Sequence, residues 1–176
     1  MRTVLISIRP EWCNKILSGE KTVEIRKTKP KLETPFKCYI YMTKQSKPYT
    51  REKSEYRFDG RVIAEFICDN IKDITRPGWL VKEDVERILQ GTCLSRQQLI
   101  EYANWKEKDT VVYGWHISKL KIYDKPRYTS EFTLLRKTKF GYEPVTMEKA
   151  PQSWCYVKEL EQYSASNELV LNKLKE

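Results

Sequence analysis

Histidine and closely spaced cysteines are scarce in this sequence. Its one histidine is His116, and its five cysteines are scattered along the chain: Cys13, Cys38, Cys68, Cys93 and Cys155. Structural zinc sites require cysteine or histidine ligands at short spacing, so we predict no metal site, and we expect no cofactor. An odd number of scattered cysteines predicts free thiols, several of them buried. A reducing compartment, the cytoplasm, is therefore expected.

Long apolar runs are also missing. No stretch approaches the roughly 20 apolar residues that a membrane-spanning helix needs, so we predict no membrane partner. Met1-Arg2-Thr3 leads directly into strand-like residues, and we expect no signal peptide. The sequence also has no P-loop, internal repeat or low-complexity segment, which excludes a repeat architecture.

Positive charge and aromatic side chains are abundant instead. The 176 residues include 33 Lys and Arg against 24 Asp and Glu, a formal net charge of +9, and 12% of them are aromatic. This combination favours phosphate-bearing partners, and we expect RNA, single-stranded nucleic acid or a nucleotide. The hydrophobic content of 40% is enough for one domain with a sizeable core.

The most informative stretch is residues 19–26, which read Gly-Glu-Lys-Thr-Val-Glu-Ile-Arg. After the glycine turn the residues alternate as in a strand, with Val23 and Ile25 on the predicted core face and Glu24 and Arg26 on the other. Opposite charges two residues apart can orient each other and a ligand. The local pattern alone also fits a solvated strand face, where an ion pair contributes little.

The spacing of Gly19, Lys21, Glu24 and Arg26 resembles the G-x-K-x-x-E-x-R signature of the ASCH (activating signal cointegrator homology) domain. That family is related to the PUA RNA-binding barrels. The context is similar too, because a predicted strand at 4–8 and a predicted helix at 12–17 precede the motif. The resemblance covers residues 1–125. The segment 151–157, Pro-Gln-Ser-Trp-Cys-Tyr-Val, resembles the last strand of short phage and Gram-positive bacterial members.

The rest of the chain predicts an α+β fold. Further strands are expected at 36–43, 61–71, 109–123 and 151–157, and helices at 82–90 and after Ser95. About six strands with inserted helices predict a small, mixed, mostly antiparallel PUA-like β-barrel, which the resemblance also implies. We predict one domain at 1–160 and a tail at 161–176 that either docks as a short helix or frays.

Two connecting segments have no clear periodicity. Residues 44–58 form a polar, basic stretch longer than ordinary connections, which predicts a loop that is either mobile or functional. Residues 124–150 are predicted to be irregular and basic.

The resemblance implies a cleft beside the second strand, with Lys21, Glu24 and Arg26 as its ligand-binding residues. Lysine and arginine suit a phosphate or an electron-rich base edge, and a glutamate can accept from an exocyclic amine such as N4 of cytosine. A stacking aromatic is expected beside them. The candidates are Trp154, Tyr41 and Trp12. For Trp154 a place in the core is an equal alternative.

The strand predicted at 109–123 contains two further residues of interest. Alternation places Trp115 on one face with Val111 and Ile117, so Trp115 is predicted in the core. His116 lies on the other face, and we predict a hydrogen-bonded, packed histidine rather than a catalyst.

An enzyme is the alternative that the resemblance raises, and the sequence leaves it open. Some small bacterial ASCH proteins look like amidohydrolases of N4-acetylcytidine that use a lysine, a threonine three residues later and a distant glutamate. Lys21 matches the lysine, but Glu24 stands at the threonine position, and Gln90 and Glu86 lie nearest to the glutamate position. A ribonuclease with Lys21 and Glu24 as an acid–base pair is a second enzymatic interpretation. A protein-interaction domain is the third alternative.

Overall fold

The computed structural model describes residues 2–44, 58–75, 82–108 and 110–160. Of the loop predicted at 44–58, only residues 44 and 58 lie within the described residues. The tail predicted at 161–176 lies wholly outside them, so the loop and the tail both remain predictions. The helices are α1 (Pro10–Leu17), α2 (Lys82–Leu89) and α3 (Arg96–Ala103). The strands are β1 (Arg2–Ile8), β2 (Val23–Arg26), β3 (Phe36–Met42), β4 (Arg61–Cys68), β5 (Ile71–Ile74), β6 (Val112–His116), β7 (Ser118–Arg127), β8 (Thr133–Thr138), β9 (Gly141–Thr146) and β10 (Trp154–Lys158).

Seven of the strands form one sheet, in the order β7-β4-β3-β1-β10-β8-β9. The continuously apolar β1 lies inside this sheet, as its pattern predicted, between β3 on one side and β10 on the other. The pairing of β1 with β3 is parallel, and α1 and β2 provide the crossover connection that a parallel pair requires. The pairing of β1 with β10 is antiparallel.

The other three strands form a small sheet in the order β2-β6-β5. The sequence predicted one long strand at 109–123, but the chain changes sheets at Ile117, between β6 and β7. The Ile117 N–H donates to Thr22 O (2.8 Å), which extends the β2–β6 ladder by one residue, and the chain then crosses to the large sheet. The predicted strand at 61–71 divides in the same way, since β4 belongs to the large sheet and β5 to the small one.

Apolar side chains form three clusters that define the layers. The first lies between the sheets and contains Val4, Ile6, Ile40 and Trp115. The second covers the opposite face of the large sheet, where Leu5 and Tyr39 meet Phe132 and Met147. The third packs α3 against the outer face of the small sheet. Trp115 is fully buried, as predicted.

The predicted barrel of about six strands is wrong. The described residues form ten strands in two separate sheets, and neither sheet closes on itself. Much of the difference comes from residues 124–150, which were predicted to be irregular but complete β7 and supply β8 and β9. The broader α+β prediction holds. Among the described helices, none has both the length and the apolar composition that a membrane crossing requires.

Candidate functional site

Lys21, Glu24 and Arg26 form a buried cluster of charges, which we call the charge triad. The Glu24 carboxylate lies between the two cations, with Oε2 3.3 Å from Lys21 Nζ and Oε1 3.1 Å from an Arg26 terminal nitrogen. The exposed fractions of the three residues are 3%, 7% and 8%. They therefore do not form the solvated strand face that the local pattern also allowed.

Strand register explains why the charges point inwards. In the small sheet Glu24 lies opposite Trp115 and Arg26 opposite Tyr113. Opposed residues of an antiparallel pair share a face, and Trp115 belongs to the cluster between the two sheets. Lys21 precedes β2, so it escapes the alternation that would have placed it on the face of Val23 and Ile25.

The loop that follows α2 holds Lys21 in place. Lys21 Nζ donates to Thr92 O (2.6 Å) and to Val23 O (2.8 Å), in addition to its ion pair with Glu24. Gly91 O accepts from the N–H groups of Thr22 (2.8 Å) and Val23 (2.9 Å). Each of the three N–H groups of the Lys21 ammonium thus has an oxygen nearby. These contacts also join the motif to a segment about 70 residues further along the chain.

Arg26 joins the triad to β1 and to the start of β10. Its guanidinium donates to Ser7 O and lies 3.4 Å from Ser153 Oγ. Its Nε is buried without an acceptor, and so is Nε1 of Trp115. These are the two buried side-chain donors of the described residues that lack a partner. Both belong to residues on the same face of neighbouring strands.

The three candidate stacking residues have different surroundings. Trp12 lies next to the triad, with Lys21 Nζ 5.3 Å from its ring centroid. Trp154 follows Ser153, packs on Trp115 with ring centroids 6.0 Å apart, and donates from Nε1 to Thr28 Oγ1 (2.9 Å). Tyr41 packs with the second cluster, on the opposite face of the large sheet from the triad.

Tyr102 of α3 is a neighbour of the triad that the sequence did not identify as a site residue. Burial raises the pKa of its hydroxyl, Arg26 opposes that rise, and Glu24 adds to it. The Lys27 ammonium lies 5.2 Å from its ring centroid. No local pattern indicated this contact, because it depends on how α3 docks on the small sheet.

Cys13 of α1 also lies close to the triad. Burial raises the pKa of this thiol far above its ordinary range, and the charge of Glu24 adds to the rise. All five cysteines are free, as the sequence predicted. Within the described ranges there is no group of three or more His, Cys, Asp and Glu side chains that could hold a metal ion.

The remaining candidates lie outside the triad. His116 ends β6, is half-exposed, and its Nδ1 lies 2.6 Å from Asp69 Oδ1. Thr22, the threonine nearest in the chain to the position that Glu24 occupies, is exposed and its hydroxyl lies against Gly91. Glu86 and Gln90 are exposed on and just after α2. The triad therefore has a lysine and a glutamate, but no hydroxyl group from Thr22.

Comparison with known proteins gives one family and one fold. The ASCH domain family model matches residues 6–151. The crystal structure of ASCH from Zymomonas mobilis has a TM-score of 0.55 and 21% identity, covering 96% of this chain and 94% of that chain. A crystal structure of a serine-to-alanine mutant of that protein has a TM-score of 0.53 and 20% identity, and the match covers 96% of this chain and 95% of that chain. No curated protein sequence matches this chain.

Proposed function

This chain belongs to the ASCH domain family, a PUA-like family thought to bind RNA, and from that premise we propose that it is an RNA- or nucleotide-binding module. We place the bound base or phosphate at the charge triad, with Arg26 and Glu24 as the recognition groups and Lys21 as the residue that positions Glu24. Trp12 and Trp154 are the aromatic neighbours proposed to contact the base.

The observation that carries this proposal is the pair of buried donors without acceptors, Arg26 Nε and Trp115 Nε1. Buried donors in folded proteins almost always have a partner, because an unpaired one costs about 1–3 kcal/mol. A ring nitrogen, carbonyl or phosphate oxygen of a ligand is the kind of acceptor that both groups lack. Glu24, which can accept from an exocyclic amine, supplies the complementary group.

Electrostatics favour the same class of ligand. The triad contains two cations and one anion, so it retains one positive charge in a buried setting. An anionic ligand is attracted to that charge, and the chain as a whole has a formal net charge of +9. Arginine is also the side chain best suited to a planar, two-point contact with a phosphate or a base edge.

The test is fluorescence anisotropy of labelled single-stranded RNA across a salt series. For the wild-type protein we expect the logarithm of the association constant to fall linearly with the logarithm of the salt concentration. Arg26→Lys keeps the charge but removes Nε and the planar fork, so it should weaken binding about tenfold while leaving the salt slope unchanged. Lys121→Gln, an exposed position on β7, is the control for loss of a remote charge.

Thermal melting of the wild-type protein with added ligands tests the proposal without substituting buried residues, which could unfold the protein. Cytidine, N4-acetylcytidine and their nucleotides should raise the thermal midpoint of the wild-type protein if they bind the folded state. If no ligand shifts the thermal midpoint and RNA binding does not depend on salt, the proposal is contradicted.

A hydrolase or ribonuclease is the second candidate, and the contact of Lys21 Nζ with Glu24 Oε2 at 3.3 Å is the observation that favours it. A lysine–glutamate pair can exchange a proton with a substrate. The three oxygens around Lys21 Nζ favour a positioning role over a nucleophilic one. Product formation from N4-acetylcytidine or single-stranded RNA, lost in Glu24→Gln, would establish the enzyme. No product, together with a co-purifying protein and no nucleic acid, would favour the protein-interaction alternative.

A further inference from the structure

Beyond the triad, the large sheet has a row of aromatic rings that leads towards its outer edge. Tyr142 of β9 and Tyr156 of β10 have ring centroids 5.4 Å apart, and Tyr156 and Trp154 are also 5.4 Å apart. The Arg2 guanidinium lies 5.0 Å from the Tyr142 centroid and 5.8 Å from that of Tyr156. We call Arg2, Tyr142, Trp154 and Tyr156 the aromatic strip.

The strip lies on the same face of the sheet as the triad. Trp154 and Tyr156 alternate with Cys155 and Val157, which pack on the opposite face. The inner end of the strip reaches the triad, since Trp154 packs on Trp115, the cross-strand partner of Glu24. Its outer end is β9, an edge strand of the sheet. All three rings are only half-buried.

Basic groups border this strip along its length. Lys158 lies opposite Arg2 in the ladder and Lys137 lies opposite Tyr142, so both share the face of the rings, and both are exposed. At the end of the β8–β9 hairpin, Lys139 Nζ lies 4.8 Å from the ring centroid of Phe140, which is 87% exposed.

The basic segment after β2 covers the inner end of the strip. Thr28 accepts from Trp154 Nε1, and the Lys31 N–H donates to the Tyr156 hydroxyl (2.7 Å). Of the lysines on this segment, Lys27 lies over the Tyr102 ring and Lys29 pairs with Asp73 (2.7 Å), whereas Lys31 is exposed next to Tyr156. The motif strand therefore continues directly into the segment that borders the rings, with Lys31 as the cation beside them.

We infer that the aromatic strip binds a single-stranded segment of RNA that extends from the charge triad to the β8–β9 hairpin. This inference rests on the function proposed above, and it assigns the longer part of the ligand to a second surface. Half-exposed rings provide faces for stacking unpaired bases, whatever their sequence, and the flanking cations provide contacts for phosphates. Cation–π contacts with Arg2 hold two of the rings in place.

A single strand fits these features better than a duplex does. Bases in a duplex are stacked and paired, so rings lying on a sheet cannot reach their faces. The cluster of like charges also argues for a polyanion as the occupant rather than an uncharged or basic protein segment.

The experiment compares long and short ligands with matched variants. Tyr142→Ala should weaken binding of an RNA of about 12 nucleotides roughly tenfold, since loss of one stacking ring has about that effect. It should leave the binding of a mononucleotide at the triad unchanged. Lys137→Gln, at an exposed position, should reduce the slope of log affinity against log salt by about 0.7.

The controls use the same chemistry at the other end of the sheet. Arg61 lies 4.0 Å from the Tyr128 ring centroid, an arginine–tyrosine pair similar to that of Arg2 and Tyr142. Tyr128→Ala should leave the affinity for both ligands unchanged. Far-ultraviolet circular dichroism and thermal melting show whether each variant is folded. If Tyr142→Ala does not fold, Lys137→Gln still tests the inference.

The outcomes separate the inference from the proposed function. If Arg26→Lys weakens both ligands while Tyr142→Ala and Lys137→Gln change neither, the strip is not an RNA surface and the proposed function stands. If the strip variants weaken only long RNA and no mononucleotide binds, the triad is not the site. If Tyr128→Ala weakens long RNA as much as Tyr142→Ala does, or if no RNA binds at all, the inference is overturned.

Discussion

Lys21 and Lys15 both pair with a glutamate close to the motif, but their surroundings differ. Lys15 and Glu20 form a hydrogen-bonded pair at 2.9 Å between half-exposed side chains. Lys21 and Glu24 are buried, and Lys21 also satisfies two backbone carbonyls. A surface pair is screened by solvent, whereas buried polar groups that lose a partner are not hydrated by water instead.

We therefore predict that Lys21→Met lowers the free energy of unfolding by about 1–3 kcal/mol, because buried carbonyl groups lose their donor although Glu24 keeps its ion pair with Arg26. The substitution removes a partner of Glu24 and leaves Thr92 O and Val23 O without their donor. Urea denaturation followed by tryptophan fluorescence measures the change. Lys15→Met is the matched control and should change stability little. Equal effects of the two substitutions would show that the triad is not structurally important.

Gly91 is a second residue whose surroundings decide its role. Its φ is +74°, and a Cβ at this position would overlap Thr22 Oγ1, on the segment that Gly91 O binds. Gly19 has a similar φ of +81°, but a Cβ there would meet nothing within 4 Å.

Gly19→Ala should thus cost about 1 kcal/mol, from backbone strain alone, and Gly91→Ala should cost at least about 1 kcal/mol more because of the added overlap. Thermal or urea unfolding gives both values. A double-mutant cycle supplies the control, since the extra cost should shrink in a Thr22→Ala background. An unchanged cost in that background would rule out the overlap as its cause.

At the scale of elements, helix α3 begins with a reciprocal cap. Ser95 Oγ accepts from the Gln98 N–H (3.2 Å), and the Gln98 side chain accepts from the Ser95 N–H (2.8 Å). This helix supplies Leu99 and Ala103 to the cluster on the outer face of the small sheet. Its position also sets that of Tyr102 beside the triad.

Ser95→Ala should destabilise the protein by about 1 kcal/mol, because an N–H of the first turn loses its acceptor. Ser95→Gly should have a smaller effect, since glycine is itself tolerated at this position. Hydrogen exchange of the α3 amides, measured alongside global unfolding, shows whether the loss is local. Equal protection in wild type and Ser95→Ala would contradict the capping role.

Elements with a regular pattern could be predicted from the sequence. Alternation within the strand predicted at 36–43 puts Cys38, Ile40 and Met42 on one face and Tyr39 and Tyr41 on the other, and in the structure the two faces join different clusters. Ser95 was expected as a helix cap, and it is one. The alternation after Gly19 placed Glu24 and Arg26 together. It could not show that this face turns inwards, because that depends on pairing with β6.

The errors arose where tertiary structure overrides local pattern. Nothing in the residues around Ile117 signals a change of sheet, since β6 and β7 are both strands and only their partners differ. Strands β8 and β9 are amphipathic and rich in charge, so their sequence pattern predicts an irregular segment. They are strands because β10 offers β8 a free edge. The triad was predicted from a resemblance and a spacing, whereas the contacts to Thr92 and Ser153 come from distant parts of the chain.

At the scale of the whole molecule, buried thiols make stability depend on alkaline pH. Burial raises the pKa of Cys155 from its ordinary value of about 9 to about 12. Between these values the thiol ionises in the unfolded chain but stays protonated in the folded one. The stability that Cys155 contributes is therefore fully present below about pH 9 and is lost as the pH rises towards about 12.

We predict that the urea midpoint of the wild-type protein falls more steeply than that of Cys155→Ala above about pH 9. The difference between the two proteins isolates Cys155 from the lysines and tyrosines that ionise in the same range. At pH 8 the same burial should make Cys155 a poor target for thiol reagents, because its thiolate fraction is about a thousandfold lower than that of an exposed cysteine. Parallel pH profiles for the two proteins would contradict this account.

The position of β1 has a consequence for how the chain is made. The first described strand has one neighbour that follows it closely in the chain and one from the end of the described residues, since Val4 pairs with Cys38 on one side and with Tyr156 on the other. During synthesis β1 emerges early, but its second edge stays open until nearly the whole domain has been translated. Contacts this distant in sequence slow folding, and an open strand edge invites pairing with other chains. Nascent chains that stop before β10 should therefore be the ones that need a chaperone.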